Sequence, residues 1–259
     1  MNMSSGTLIH VQAVEIRPPI RDQRAPQAQR STWLGLYRMA GIAAFAVVAL
    51  IPIQAVVYVL WPPPTRVVDY FSTFQQNVVL GLLDLDLMLI VDQVLIVTVL
   101  LGLYAALRQT DASLMLVGTT IGLIGAVLFI VSREATFSML WLSQHYAVAS
   151  SDADRAALVA AGQTLLTTYN GTAFGVGYFL SGLAMLLVSV VMLRSAVFSR
   201  LTGLAGVLAG VTGLVPASFG TLGFVLSFVS LLPLVVWLAL IGRRFVQLGS
   251  AAQPREVDS

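Results

Sequence analysis

The chain has 259 residues, of which 58% are hydrophobic and 10% charged, with 14 Lys+Arg against 12 Asp+Glu and a formal net charge of +2. A soluble protein carries about 25% charged residues, and so few charges cannot keep this much apolar surface in water. A mean hydropathy of +0.88 excludes an ordinary soluble domain and points to an integral membrane protein.

Residues 1–35 are polar, carry Arg17, Arg21, Arg24 and Arg30 with Pro18, Pro19 and Pro26, and lack the apolar core of a signal peptide. They read as a disordered cytoplasmic tail. Six apolar stretches follow: Met39–Trp61, Leu87–Leu107, Ser113–Ser132, Thr172–Leu193, Leu201–Ser218 and Thr221–Ile241. Each approaches the ~30 Å of hydrocarbon at ~1.5 Å per residue. Each must be helical, because the bilayer offers backbone groups no other partner. The expected fold is therefore all-α, an integral membrane bundle of six transmembrane helices over residues 36–245. A second disordered cytoplasmic tail covers 246–259.

Two connections hold further helices. Asp69 is placed to cap a helix carrying Phe71, Phe74, Val78 and Leu82 on one face. Running on unbroken into the second span it would exceed ~50 Å, so a break is expected near Leu83–Asp86. Ser151-Asp152-Ala153-Asp154 is a cap signature before an alanine-rich helix with Leu158, Leu165, Leu166 and Tyr169 on one stripe, ended by Asn170-Gly171. Both are read as amphipathic helices on the outer membrane surface. Gly118, Gly122 and Gly125 recur in spacing as Gly206, Gly210 and Gly213, each set after a helix ending in Leu-Arg, which hints at duplicated hairpins.

With both termini cytoplasmic, eleven of the fourteen arginines fall inside and only Arg66, Arg133 and Arg155 outside. The positive-inside rule favours this orientation in the cell membrane. The arginines flank spans rather than lining a soluble face, which argues against a nucleic-acid partner and leaves membrane lipids as the surroundings.

The order of Leu83–Arg108, Gly171–Ser195, Arg200–Gly210 and Leu231–Arg244 resembles a bacterial and archaeal multi-pass membrane family known only as a domain of unknown function. The likeness covers roughly Arg38 to Leu248. It implies a six-helix membrane protein and carries no activity.

The inventory removes several chemistries. Absence of cysteine excludes disulfides, iron–sulfur clusters, thiolate zinc sites and cysteine nucleophiles. His10 and His145 are too few for a three-histidine zinc or bis-histidine haem site. All 14 basic residues are arginine, so no lysine-dependent phosphate loop exists; the same bias fits a GC-rich bacterial genome. No catalytic residue, metal ligand or cofactor follows from the sequence, and an enzyme is the least favoured reading.

Asp92 is the only formal charge inside a span, about one turn below the outer surface. A carboxylate there requires a partner, a proton or water. Arg133 closes the third span at the same outer end, so an Asp92–Arg133 ion pair is expected, either locking that hairpin or lining a polar pocket. Asp84, Asp86, Gln93, Glu134 and His145 are expected on the same face, as a wetted surface or as a pocket for a cation or an amphiphile headgroup. The glycine pairs Gly118/Gly122, Gly171/Gly175 and Gly206/Gly210 are read as helix contacts. Pro52, Pro216 and Pro233 are read as kinks. Gln54, Ser181, Thr212, Ser227 and Ser230 are read as weak cross-helix hydrogen bonders. Two functions remain open at this point: a small binding or transport module, which with six spans implies a homo-oligomer, or a non-catalytic structural or regulatory membrane protein that docks a partner.

Overall fold

The computed structural model describes residues 33–250, and the tails expected over 1–32 and 251–259 lie outside them. The described residues form ten helices and no strand: α1 Leu34–Leu60, α2 Val67–Gln76, α3 Val78–Asp84, α4 Leu87–Leu107, α5 Ala112–Ser132, α6 Ala135–Val148, α7 Asp152–Tyr169, α8 Thr172–Arg194, α9 Arg200–Thr212 and α10 Gly220–Ser250. Five are long and apolar enough to cross a membrane: α1, α4, α5 continued into α6, α7 continued into α8, and α10.

Six helices pack in a closed ring, in the order α1, α4, α5, α8, α9, α10 and back to α1. Arg38, Arg108, Arg194, Arg200, Arg243 and Arg244 gather at one end, held in part by Arg38 Nε donating to the Gly249 carbonyl at 3.2 Å and Arg244 Nε to that of Val197 at 2.6 Å. We call this the arginine end. The ring's core lies towards it and includes Leu103, Met115, Val188, Trp237 and Phe245. In lipid such contacts gain little from burial as such, so close packing of small residues decides which helices pair. Both glycine stripes face α8. Gly118 and Gly125 meet it from α5, and Gly206 and Gly210 from α9, across from Ser189 and Leu186. Gly171/Gly175 is not such a pair: Gly175 has open space around it, and Gly177 and Gly182 make the close approaches from α8.

The expected fifth span ends early. Helix α9 has 13 residues, about 20 Å, and climbs α8 only from Leu193 to Gly182. Helix α10 begins at Gly220, beyond the level at which Tyr178 donates to Ser227 at 2.9 Å. Residues 213–219 therefore cover the remaining distance without a helix. Pro216 supplies the reason, having no N–H to continue the ladder and forcing its predecessor out of the α region. It ends the helix rather than kinking it, whereas Pro52 and Pro233 sit inside α1 and α10.

At the other end α2, α3, α6 and α7 fold on one another. This corrects the expectation of two helices lying separately on a membrane surface. Phe71, Phe74, Leu85, Met139 and Leu142 form a second core, with Leu158, Leu165 and Leu166 of α7 packed against it. Helix α6 was not foreseen; Trp141, His145 and Tyr146 lie on it, not on a loop. Its buried Met139 and Leu142 complete a core shared by the four helices. Ser143 Oγ donates to the Phe71 carbonyl at 2.8 Å, and Thr136 Oγ1 to that of Leu85. Ala112–Val148, from the start of α5 to the end of α6, has 37 residues, and Asp152–Arg194, from the start of α7 to the end of α8, has 43, about 55 and 65 Å along the helices. Both exceed the thickness of a bilayer core.

The local signals at the cap follow the sequence closely. Ser151 caps α7 by accepting from Asp154 N at 3.0 Å, and the helix ends at Tyr169 before Asn170-Gly171. The break falls where expected, with Asp84 ending α3 and Leu85-Asp86 turning the chain. Asp69, however, lies in the first turn of α2 and pairs with Arg66 at 2.8 Å instead of capping.

Asp84 has one carboxylate oxygen buried without a partner, and burial pushes its carboxyl up from the ordinary range. A carboxyl raised in the fold stabilises it below the unfolded-state pKa of about 3.9. That contribution is lost as the pH rises through the folded value. Asp84→Asn is expected to melt with the wild type at pH 4 and above it at pH 8. A gap between the two that stays constant with pH would contradict this.

Candidate functional site

The residues singled out from sequence divide into two clusters. Asp86 is the only non-glycine among the described residues with a positive φ, 60°. Aspartate tolerates this left-handed conformation better than most side chains. The turn breaks the chain between α3 and α4, and Asp86 makes no capping bond because its carboxylate is engaged elsewhere. Its Oδ2 accepts from Arg133 Nη1 at 2.7 Å and from the Tyr169 hydroxyl.

Arg133 thus pairs with Asp86 and not with Asp92, a correction with a simple cause. Asp86 ends α4 at the level where Arg133 ends α5, whereas Asp92 lies six residues, ~9 Å, deeper along its helix. The Arg133 side chain is 2% exposed and that of Asp86 42%. The guanidinium lies over three rings: Tyr169 at 3.9 Å, Phe174 at 4.7 Å and Phe129 at 5.5 Å. Its Nε donates to Ser132 Oγ at 3.2 Å. Nη2 is buried with no hydrogen-bond partner.

A cavity of about 280 Å³ opens beside this pair. Phe129 and Arg133 come from α5, Leu89 from α4, Tyr178 from α8, and Ser227, Phe228 and Leu231 from α10. It lies at the end of the ring next to the cap, where Tyr178 of α8 meets Ser227 of α10. Asn170 at its rim is exposed to the cap side, and Phe228, 53% exposed, stands on the outer face of α10. The walls are mostly aromatic and aliphatic, with few polar groups, which is the usual make-up of a small-molecule pocket.

Asp92 belongs to a separate site. It is 6% exposed and accepts from Gln54 Nε2 of α1 through Oδ2, while Oδ1 is buried without a partner. Gln54 and the Tyr178–Ser227 pair are cross-helix bonds, as expected; Ser181, Thr212 and Ser230 instead bond carbonyls of their own helices. Gln93 lies half-buried on α4, and Glu134 is exposed beside Arg133. Asp84 is on α3 and does not join Asp86. His145 is exposed, with its ring stacked on Trp141 at 3.8 Å. The cluster that forms is thus Asp86, Arg133 and Tyr169. Tyr169 was placed by its apolar stripe alone, and no sequence signal distinguished Phe129, Phe174 or Tyr178 from ordinary lipid-facing aromatics.

The fold and cavity are those of a helical membrane protein: apolar helices around a mostly apolar pocket with one shielded ion pair. The chain belongs to the family described as Domain of unknown function (DUF4386), whose model matches residues 35–248. No curated protein and no solved structure matches the chain.

Proposed function

We propose that this protein is a multi-pass cell-membrane binding or transport module whose cavity beside Asp86 and Arg133 opens outward and admits the headgroup of an amphiphile. The observation that carries this is a guanidinium buried to 2% exposure in the cavity wall with a donor left over. An unsatisfied buried donor is costly, and a ligand acceptor would relieve it. The fifth crossing is made by α9 and the non-helical residues 213–219, so six crossings put both termini in the cytoplasm. The arginine end, with its six described arginines, then faces inward. Non-helical backbone at membrane depth is tolerated where protein or a cavity covers it, and Gly182 of α8 and Gly223 of α10 lie against the Gly213 and Pro216 carbonyls of this segment.

The chain has no cysteine, so single-cysteine variants report cleanly. Asn170→Cys and Phe219→Cys are expected to react with a membrane-impermeant maleimide on intact cells, and Ser250→Cys only after permeabilisation. Labelling of Phe219→Cys only from inside would reduce the crossings to five or fewer. Amphiphile should shield Asn170→Cys but not Phe219→Cys.

The second reading, a structural or regulatory protein that docks a partner, draws on the exposed Phe137, Trp141 and Val148 of α6. Under that reading amphiphile leaves Asn170→Cys unshielded.

A further inference from the structure

Resting on the amphiphile reading, we infer that the cavity selects a zwitterionic headgroup, with its anionic group on Arg133 and its cationic group on Asp86. Arg133 Nη1 and Asp86 Oδ2 satisfy each other at 2.7 Å. Beyond that bond each partner keeps one free atom. Nη2 of Arg133 is buried and unpartnered. Oδ1 of the half-exposed Asp86 accepts no hydrogen bond, since both of its acceptor contacts use Oδ2. An unpartnered cationic donor, buried behind the cavity wall, and an unpartnered, half-exposed anionic acceptor therefore lie on adjoining side chains.

Charge accounting selects among ligands. The pair is neutral, and its guanidinium is almost fully shielded. An anion alone would leave a net negative charge beside the membrane, and a cation alone a net positive one; both are costly at that depth. A zwitterion leaves none and engages both free atoms. Tyr178 and Phe228 also line the cavity, the first packed against Phe129 and Phe174 and the second against Phe224.

The rims favour a lipid as the source. Asn170 gives a polar rim on the cap side, whereas Phe228 and Leu231 continue the cavity onto the apolar face of α10. A headgroup at the first and an acyl chain along the second would place both ends of an amphiphile in matching surroundings. A free zwitterion with the same headgroup would use only the first.

The test is thermal unfolding of the full chain in dodecyl maltoside, with dioleoyl phosphatidylethanolamine, dioleoyl phosphatidylglycerol, dioleoylglycerol or soluble glycerophosphoethanolamine added. Phosphatidylethanolamine is expected to raise Tm by about 3–6 °C, the size of shift a saturating ligand produces in a domain of this length. Phosphatidylglycerol and dioleoylglycerol should leave it within about 1 °C. Arg133→Gln should abolish the response. Should that variant not fold, Leu231→Trp, which fills the apolar part of the cavity, should abolish it instead. A response to glycerophosphoethanolamine equal to that of the lipid would keep the zwitterion and overturn the lipid source. Equal responses to phosphatidylglycerol or dioleoylglycerol, lost in Leu231→Trp, would overturn selection by charge while leaving an amphiphile cavity. No response to any of the four would overturn both readings.

Discussion

Asp86→Asn is expected to cost about 2–4 kcal/mol of stability. Breaking a buried ion pair by removing one partner typically costs ~3–5 kcal/mol, because the remaining charge stays buried and uncompensated. Asp86 is 42% exposed, so some of that cost is screened by water, and the lower figure allows for it. The substitution isolates charge from geometry. Asparagine tolerates the left-handed backbone at φ 60°, and its amide oxygen can still accept from Tyr169. What disappears is the counter-charge to a guanidinium that is 2% exposed. The rings of Phe129, Tyr169 and Phe174 soften the loss without replacing a carboxylate. Arg133→Gln in the same chain should recover most of the stability, giving a double-mutant coupling of about 2 kcal/mol or more. Denaturation of all four proteins in the same detergent measures this. Equal and additive losses would mean that the two residues act independently.

Gly182→Ala is expected to be nearly as damaging, for a steric reason. A Cβ at Gly182 would lie 2.7 Å from the Gly213 carbonyl oxygen and 3.2 Å from that of Gly210. Both are backbone atoms of α9 and its C-cap, so relief requires moving the helix itself. Overpacking of this kind costs about 1–3 kcal/mol, and here it also disturbs the start of the non-helical residues 213–219. Gly175→Ala is the matched control. Nothing lies within 4 Å of that position, so the substitution should be neutral or should gain up to about 1 kcal/mol from helix propensity. Equal melting temperatures for the two variants would mean that α8 and α9 do not pack as closely as described.

Loss of stability and loss of binding are separable at this cavity. Gly182→Ala should lower Tm while leaving the lipid-induced rise largely intact, because Gly182 does not line the pocket. Leu231→Trp should do the opposite. That contrast distinguishes a scaffold position from a wall of the cavity without knowledge of the physiological ligand.

The sequence by itself determined the class of this protein, its helices and many of their ends. Hydrocarbon thickness and the absence of water leave an apolar stretch one conformation, so hydropathy was enough to locate α1, α4, α5, α8 and α10. Caps such as Ser151, the break at Asp84–Asp86 and the stop at Asn170-Gly171 are local, formed by atoms within a few residues of one another, and were legible for that reason. The glycine stripes were legible as contacts, though not in their partner: only the packing shows that Gly118 of α5 and Gly210 of α9 both face α8. Helix α9 was overestimated because hydropathy counts residues without asking whether they are helical, and residues 213–219 are apolar but not helical.

Three features needed the tertiary structure. Helix α6 lacks a strong periodic signal, since its exposed face carries Phe137 and Trp141, and it gains its role only from the three other helices of the cap. Arg133 had several acids within reach along the chain, and a residue's depth and direction on its helix, not its distance in sequence, decided that Asp86 and not Asp92 became its partner. Asp92 in turn found Gln54, 38 residues away on α1. The cavity is the most global feature of all. Its lining comes from α4, α5, α7, α8 and α10 and the residues flanking them, and no stretch of sequence contains that convergence.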